Sequence, residues 1–144
     1  MARVPLLNWK PMAPRRLEAD NPAVIGPAGT VHCSLADWAK YAAFQLRGAR
    51  GEQVSLPADV FKKLHTPLPG DEEAYAFGWI VAERDWAGGK ALTHSGSNTM
   101  WFAVVWLAPE RNRAYLAATN VGNEMAFPAC DAAISKLIEL ASVL

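Results

Sequence analysis

Apolar positions along this chain change their period twice. Leu35, Trp38, Ala39, Ala42, Ala43 and Leu46 recur at three- and four-residue intervals, the spacing that lines one face of an α-helix. Ser34 with Asp37 three residues on supplies a capping-box-like start, and Gly48 a stop, so the pattern predicts an amphipathic helix over residues 35 to 47. Pro57 opens a second, shorter helix through Val60, Phe61 and Leu64, which Pro67 and Pro69 forbid from extending. The aromatic residues of these stripes, with Trp79 and Trp106 further on, read as core-facing.

From Tyr75 the period becomes two. Residues 75 to 83 alternate, 91 to 94 form a short run after the turn Asp85-Trp86-Ala87-Gly88-Gly89, and 100 to 108 and 114 to 121 are longer runs rich in β-formers. Pro109-Glu110-Arg111-Asn112 reads as the hairpin turn between the last two. Helical spacing returns through Ala129, Ala133, Leu137, Ile138 and Leu140, predicting a closing helix with one face free to cover the sheet. The expected class is α+β: an antiparallel β-meander of three to four strands packed against helices, with the C-terminal helix covering the sheet.

Residues 1 to 33 contain Pro5, Pro11, Pro14, Pro22 and Pro27 and show neither period, so they are expected to be extended and irregular. The boundary falls near residue 20: a Pro-rich arm over 1–20, with Trp9 and Met12 able to dock on the domain, and a single domain over 21–144. With 144 residues, 51% of them apolar, the chain can bury a sizeable core. Fourteen basic and fourteen acidic side chains cancel, leaving no electrostatic case for nucleic acid or an anionic membrane. Cys33 and Cys130 match no metal or redox spacing and are expected as buried free thiols, with a disulfide left open. His32, His65 and His94 resemble no common metal-ligand pattern, and no metal or cofactor is expected.

The chemistry-bearing run is Thr93-His94-Ser95-Gly96-Ser97-Asn98, just before two apolar strands. Acyl transfer by a serine enzyme needs a nucleophilic hydroxyl, a base and donors placed where the oxyanion forms. A strand edge ending in His94-Ser95-Gly96 can supply the last part, with Gly96 admitting substrate to the backbone. Asn98 and Trp101 are candidates to flank that edge.

Asn21 to Lys40, containing Pro27-Ala28-Gly29 and Ser34-Leu35-Ala36-Asp37-Trp38, and Tyr75-Ala76-Phe77-Gly78-Trp79 followed by Thr93 to Phe102, resemble blocks of the serine β-lactamase-related hydrolases. That superfamily includes class C β-lactamases, DD-peptidases and family VIII esterases. His94-Ser95-Gly96 falls where the family carries Lys-Thr-Gly or His-x-Gly. The resemblance covers roughly residues 20 to 144 and only the family's C-terminal portion. The family nucleophile lies in Ser-x-x-Lys, and Tyr-x-Asn or Ser-x-Asn completes its proton network. No serine here has lysine three positions on, and Tyr41, Tyr75 and Tyr115 lack asparagine two positions on.

The resemblance therefore implies an incomplete β-lactamase-like fold, catalytically inert alone and able to bind ligand at His94. The alternative is a hydrolase active after complementation by a separately encoded N-terminal half, or through a rebuilt site using Ser95 or Ser97 with His94, His32 or His65 and an acid such as Asp37. It also implies that residues 114 to 121 lack their neighbouring strand, so that a homo-oligomer is expected through the exposed edge or through swapped elements. Members are often exported, whereas residues 1 to 10 are too short and interrupted for a signal peptide's apolar core.

Overall fold

Five antiparallel strands follow one another through the sheet in sequence order, β1 (Tyr75–Ala76), β2 (Trp79–Arg84), β3 (Gly89–Ser97), β4 (Phe102–Ala108) and β5 (Arg113–Thr119). The computed structural model describes residues 11–143, so the reading for Trp9 lies outside the described residues. The α+β class, the meander and the sheet-covering C-terminal helix are as the periodicity predicts. The additional strand arises because the alternating run from residue 75 folds back on itself. Ala76 pairs with Trp79 across the two-residue turn Phe77-Gly78. Both turn residues have positive φ, 47° and 101°, the handedness that matches the twist of a tight hairpin.

The next two connections share one design. Asp85–Ala87 and Pro109–Arg111 are each a single 3-10 turn, followed by Gly88 and Asn112 in the left-handed region. Such a turn reverses a strand over few residues and keeps neighbours in register.

Helices cover both faces. β4 alternates perfectly between them: Val105 and Leu107 join Leu92, Trp79, Ala42 and Leu46 in one cluster. Phe102 and Val104 join Tyr115, Ala126, Cys130 and Ile134 in the other. The first face is packed by α2 (Leu35–Ala49) and the second by α4 (Ala126–Ala141). The start of α2 is as the sequence predicts, with the Asp37 N–H donating to Ser34 Oγ at 3.1 Å. Gly48, however, does not stop it. The helix continues to Ala49, and a Cβ at Gly48 would lie 2.3 Å from the Phe61 ring. Glycine is there to let α3 (Ala58–Leu64) approach.

The stretch before α2 is less extended than expected: Leu17–Ala19 and Ala23–Ile25 form 3-10 turns and α1 (Gly26–Gly29) one helical turn. Its described part is tied to the domain. Met12 N–H donates to Asn120 O at 2.8 Å, Asn120 Nδ2 donates back to Met12 O, and Trp101 Nε1 donates to Ala19 O at 2.7 Å. Both cysteines are free, but Cys33 is exposed, a correction to the expectation that both are buried. It lies outside the apolar stripe, one residue before the Ser34 cap.

A buried polar chain joins α2 to α3. His65 and Gln45 are almost fully covered, and His65 Nε2 meets Gln45 Oε1 at 2.9 Å. Burial, and secondarily the positive charge of Lys90, push the imidazole down to about 4. Lys90 also donates to the His65 carbonyl at 2.5 Å. The folded state therefore holds His65 neutral where the unfolded chain would protonate it. The stabilisation is complete above about pH 6.5 and is lost as pH falls through 4, amounting to about 3 kcal/mol. Denaturant unfolding at pH 7 and pH 4 should show wild type losing about 3 kcal/mol more than His65→Gln, which keeps a hydrogen-bonding side chain without the titration; equal losses would contradict this.

Candidate acyl-binding edge

Pairing between β2 and β3 runs from Arg84↔Gly89 to Ile80↔Thr93 and ends there, because the Phe77-Gly78 turn carries β2 away. β3 continues for four more residues, paired only with β4, from His94↔Val105 to Ser97↔Phe102. One backbone edge of His94-Ser95-Gly96-Ser97 is thereby without a partner strand among the described residues.

The direction of its polar groups follows from the register. Val81 N–H donates to Ala74 O at 2.9 Å, so Val81 turns its backbone groups toward β1 and Ile80 turns its own toward β3. Ile80 pairs with Thr93. Backbone groups alternate along a strand, so those of Thr93, Ser95 and Ser97 face the β2 side, and those of His94 and Gly96 face β4. Beyond Thr93, the Ser95 and Ser97 amides and carbonyls project from the open edge.

Side chains alternate as well. His94 and Gly96 share the α2 face with Leu92 and Val105, while Ser95 and Ser97 share the other. His94 and Ser95 therefore point to opposite sides and form no base–nucleophile pair. The Ser97 hydroxyl donates to Trp101 O at 2.8 Å and accepts from Thr99 N–H at 3.0 Å, holding the turn into β4. Asn98 Oδ1 caps the same turn by accepting from the Trp101 and Met100 amides. Trp101 turns to Ala19. Neither Asn98 nor Trp101 lines the cleft that opens beside His94.

That cleft has a volume of about 270 Å³. Its floor is His94, Gly96, Ala103 and Val105. Its walls are Trp38 and Tyr41 from α2, Phe77 and Gly78 from the hairpin turn, and Trp79 from β2. A Cβ at Gly96 would meet nothing within 4 Å, so glycine keeps the floor open beside the free edge. The Tyr75 ring lies 6.4 Å from that of His94. No Lys, Arg, Asp or Glu lines the space, which suits neutral, apolar ligands with a hydrogen-bonding group at the backbone edge.

The periodicity assigns Trp38, Trp79 and Trp106 to the core. Trp79 is buried, and half-buried Trp38 and Trp106 pack against the core clusters; Trp38 also forms a cleft wall with exposed Tyr41. The signal for them was their i, i+3 spacing on the helix face that packs against the sheet, not distinguishable in sequence from core spacing. Phe77 was also missed: a bulky residue at φ 47° is strained by about 1–2 kcal/mol, and the strained turn presents its ring to the cleft. The other groups named as partners for a rebuilt site lie elsewhere. His32 pairs with Asp20 at 3.6 Å, His65 with Gln45, and Asp37 with Lys40 and Ser34. Hydrogen bonds from Lys40, then Ser34, hold the Asp37 carboxyl below its ordinary range. Among the described residues, no group of three or more His, Cys, Asp or Glu side chains gathers to hold a metal ion.

No curated protein and no solved structure matches this chain. The family model for beta-lactamase matches residues 3–137. That span contains α2, the Phe77-Gly78 turn, the whole sheet and the His94-Ser95-Gly96 edge, and it leaves only the ends of the sequence outside. The chain belongs to the beta-lactamase family.

Proposed function

We propose that this chain forms the substrate edge of a serine acyl-transfer site, binding the acyl portion of a ligand along His94-Ser95-Gly96 without turning it over by itself. The observation that carries the reading is the unpaired β3 edge: the Ser95 and Ser97 backbone groups face outward beside an apolar cleft floored by His94 and Gly96. Backbone N–H groups of this kind hold a carbonyl or a developing oxyanion. They do not replace a nucleophile. Within these 144 residues no serine stands in Ser-x-x-Lys and no Tyr-x-Asn or Ser-x-Asn occurs, and loss of the nucleophile and its base leaves only residual catalysis in such enzymes.

Complementation by a separately encoded N-terminal half is the second reading. It is favoured by the outer edge of β5, which has no partner strand among the described residues. Beside it runs an open apolar trough between Ala114, Leu116, Leu137 and Leu140. An edge of this sort pairs readily with another chain, and association of two copies through β5 is the simplest way to cover it. Among the described residues no helix is long and apolar enough to cross a membrane.

Treatment with a fluorophosphonate or a penicillin, read by intact-protein mass alongside Ser95→Ala and Ser97→Ala, should give no adduct. A stoichiometric adduct abolished by either substitution would overturn the non-catalytic reading. Native mass measurement at tens of micromolar should give a dimer or larger assembly, and a strictly monomeric mass would remove the edge-pairing proposal.

A further inference from the structure

Tyr41 has a connection that no part of the edge chemistry uses. Its ring is half exposed on the cleft wall, while its hydroxyl accepts from Gln45 Nε2 at 3.0 Å. Gln45 Oε1 in turn meets His65 Nε2 at 2.9 Å. Both inner members are nearly inaccessible, Gln45 at 4% and His65 at 2% exposure. Around them pack Phe61 and Trp79, whose rings lie 6.1 Å from the imidazole.

This chain has a fixed polarity. A glutamine carbonyl only accepts, so His65 donates from Nε2, and the Gln45 amide is left to donate outward to Tyr41. Tyr41 Oη then accepts from Gln45, and its own proton remains for donation to a further acceptor beside this half-exposed ring. Buried polar groups are costly unless paired, and Tyr41 Oη supplies the acceptor that the buried Gln45 amide needs. The third member delivers a donor to the surface, at the wall of the same cleft that His94 and Gly96 floor.

Resting on the acyl-binding reading above, we infer that the Tyr41 hydroxyl, oriented by Gln45 and His65, is a recognition donor for a neutral carbonyl acceptor on a ligand whose aromatic or branched apolar body lies against Trp38, Phe77 and Trp79. Neutral ketone, ester or amide carbonyls fit because no charged side chain of Lys, Arg, Asp or Glu lines the space. Tyr41 acts here as a binding residue, and Gln45 and His65 as positioning residues.

The test uses acetophenone, which offers only an acceptor, and ethylbenzene, which has nearly the same shape and none. Binding is followed by amide chemical shifts at His94, Gly96 and Val105 in the full chain and in Tyr41→Phe. The ring is retained, and a thermal melt confirms that the variant is folded. Wild type should bind acetophenone, and Tyr41→Phe should weaken it about fivefold, the effect of one ordinary hydrogen bond, with ethylbenzene unchanged. Equal acetophenone affinity in the two proteins, or equal weakening of both probes, would overturn the role of Tyr41 while leaving the acyl-binding reading intact. Absence of any acetophenone-induced shift in wild type would overturn both.

Discussion

The site depends on where β2 stops pairing with β3. Phe77 and Gly78 reverse the chain in two residues, so β2 begins at Trp79 and its last partner on β3 is Thr93. Were the hairpin longer, β2 would cover His94-Ser95-Gly96-Ser97, and the Ser95 and Ser97 amides would be spent on sheet hydrogen bonds. The turn requires positive φ at both residues, which glycine accepts freely and phenylalanine does not. Strain at Phe77 is offset by the pairing on either side, and its ring becomes part of the cleft.

Two-sided packing makes that edge rigid. β4 carries large apolar side chains on both faces, so β3 is backed by a strand held between α2 and α4. At the other end of the cleft wall, α2 is fixed by its Ser34 cap, by the close approach of Phe61 to Gly48, and by the His65–Gln45 contact. The cleft is therefore a gap between two well-anchored elements, and the polar groups that face it come mostly from backbone. Its aromatic walls, with no Lys, Arg, Asp or Glu among the lining residues, favour neutral ligands over anions.

Much of the fold was legible because periodicity reports burial. The 3.6-residue stripes of α2 and α4 each state which face is covered, and the unbroken apolar run of residues 102 to 108 marks a strand covered on both faces. Three features were not legible. Residues 75 to 83 alternate continuously, and nothing in that alternation marks the reversal at Phe77-Gly78, since Phe is a poor turn former. Gly48 looks like a helix stop, because sequence does not reveal a ring from α3 packed on it. Trp38 and Tyr41 carry the same spacing whether they face core or cleft.

At the candidate site the tripeptide His94-Ser95-Gly96 was identified from sequence, but its geometry was not. The opposite orientation of His94 and Ser95 follows from strand alternation, whereas the directions of the backbone groups depend on register. Asn98, Ser97 and Trp101 sit close in sequence and are nonetheless taken up by the turn into β4 and by the contact with Ala19. The measurement that tests the open edge most directly is residue-resolved amide hydrogen exchange along β3. The account predicts slow exchange at Thr93, His94 and Gly96 and fast exchange at Ser95 and Ser97. Uniform protection from Thr93 through Ser97 would contradict it.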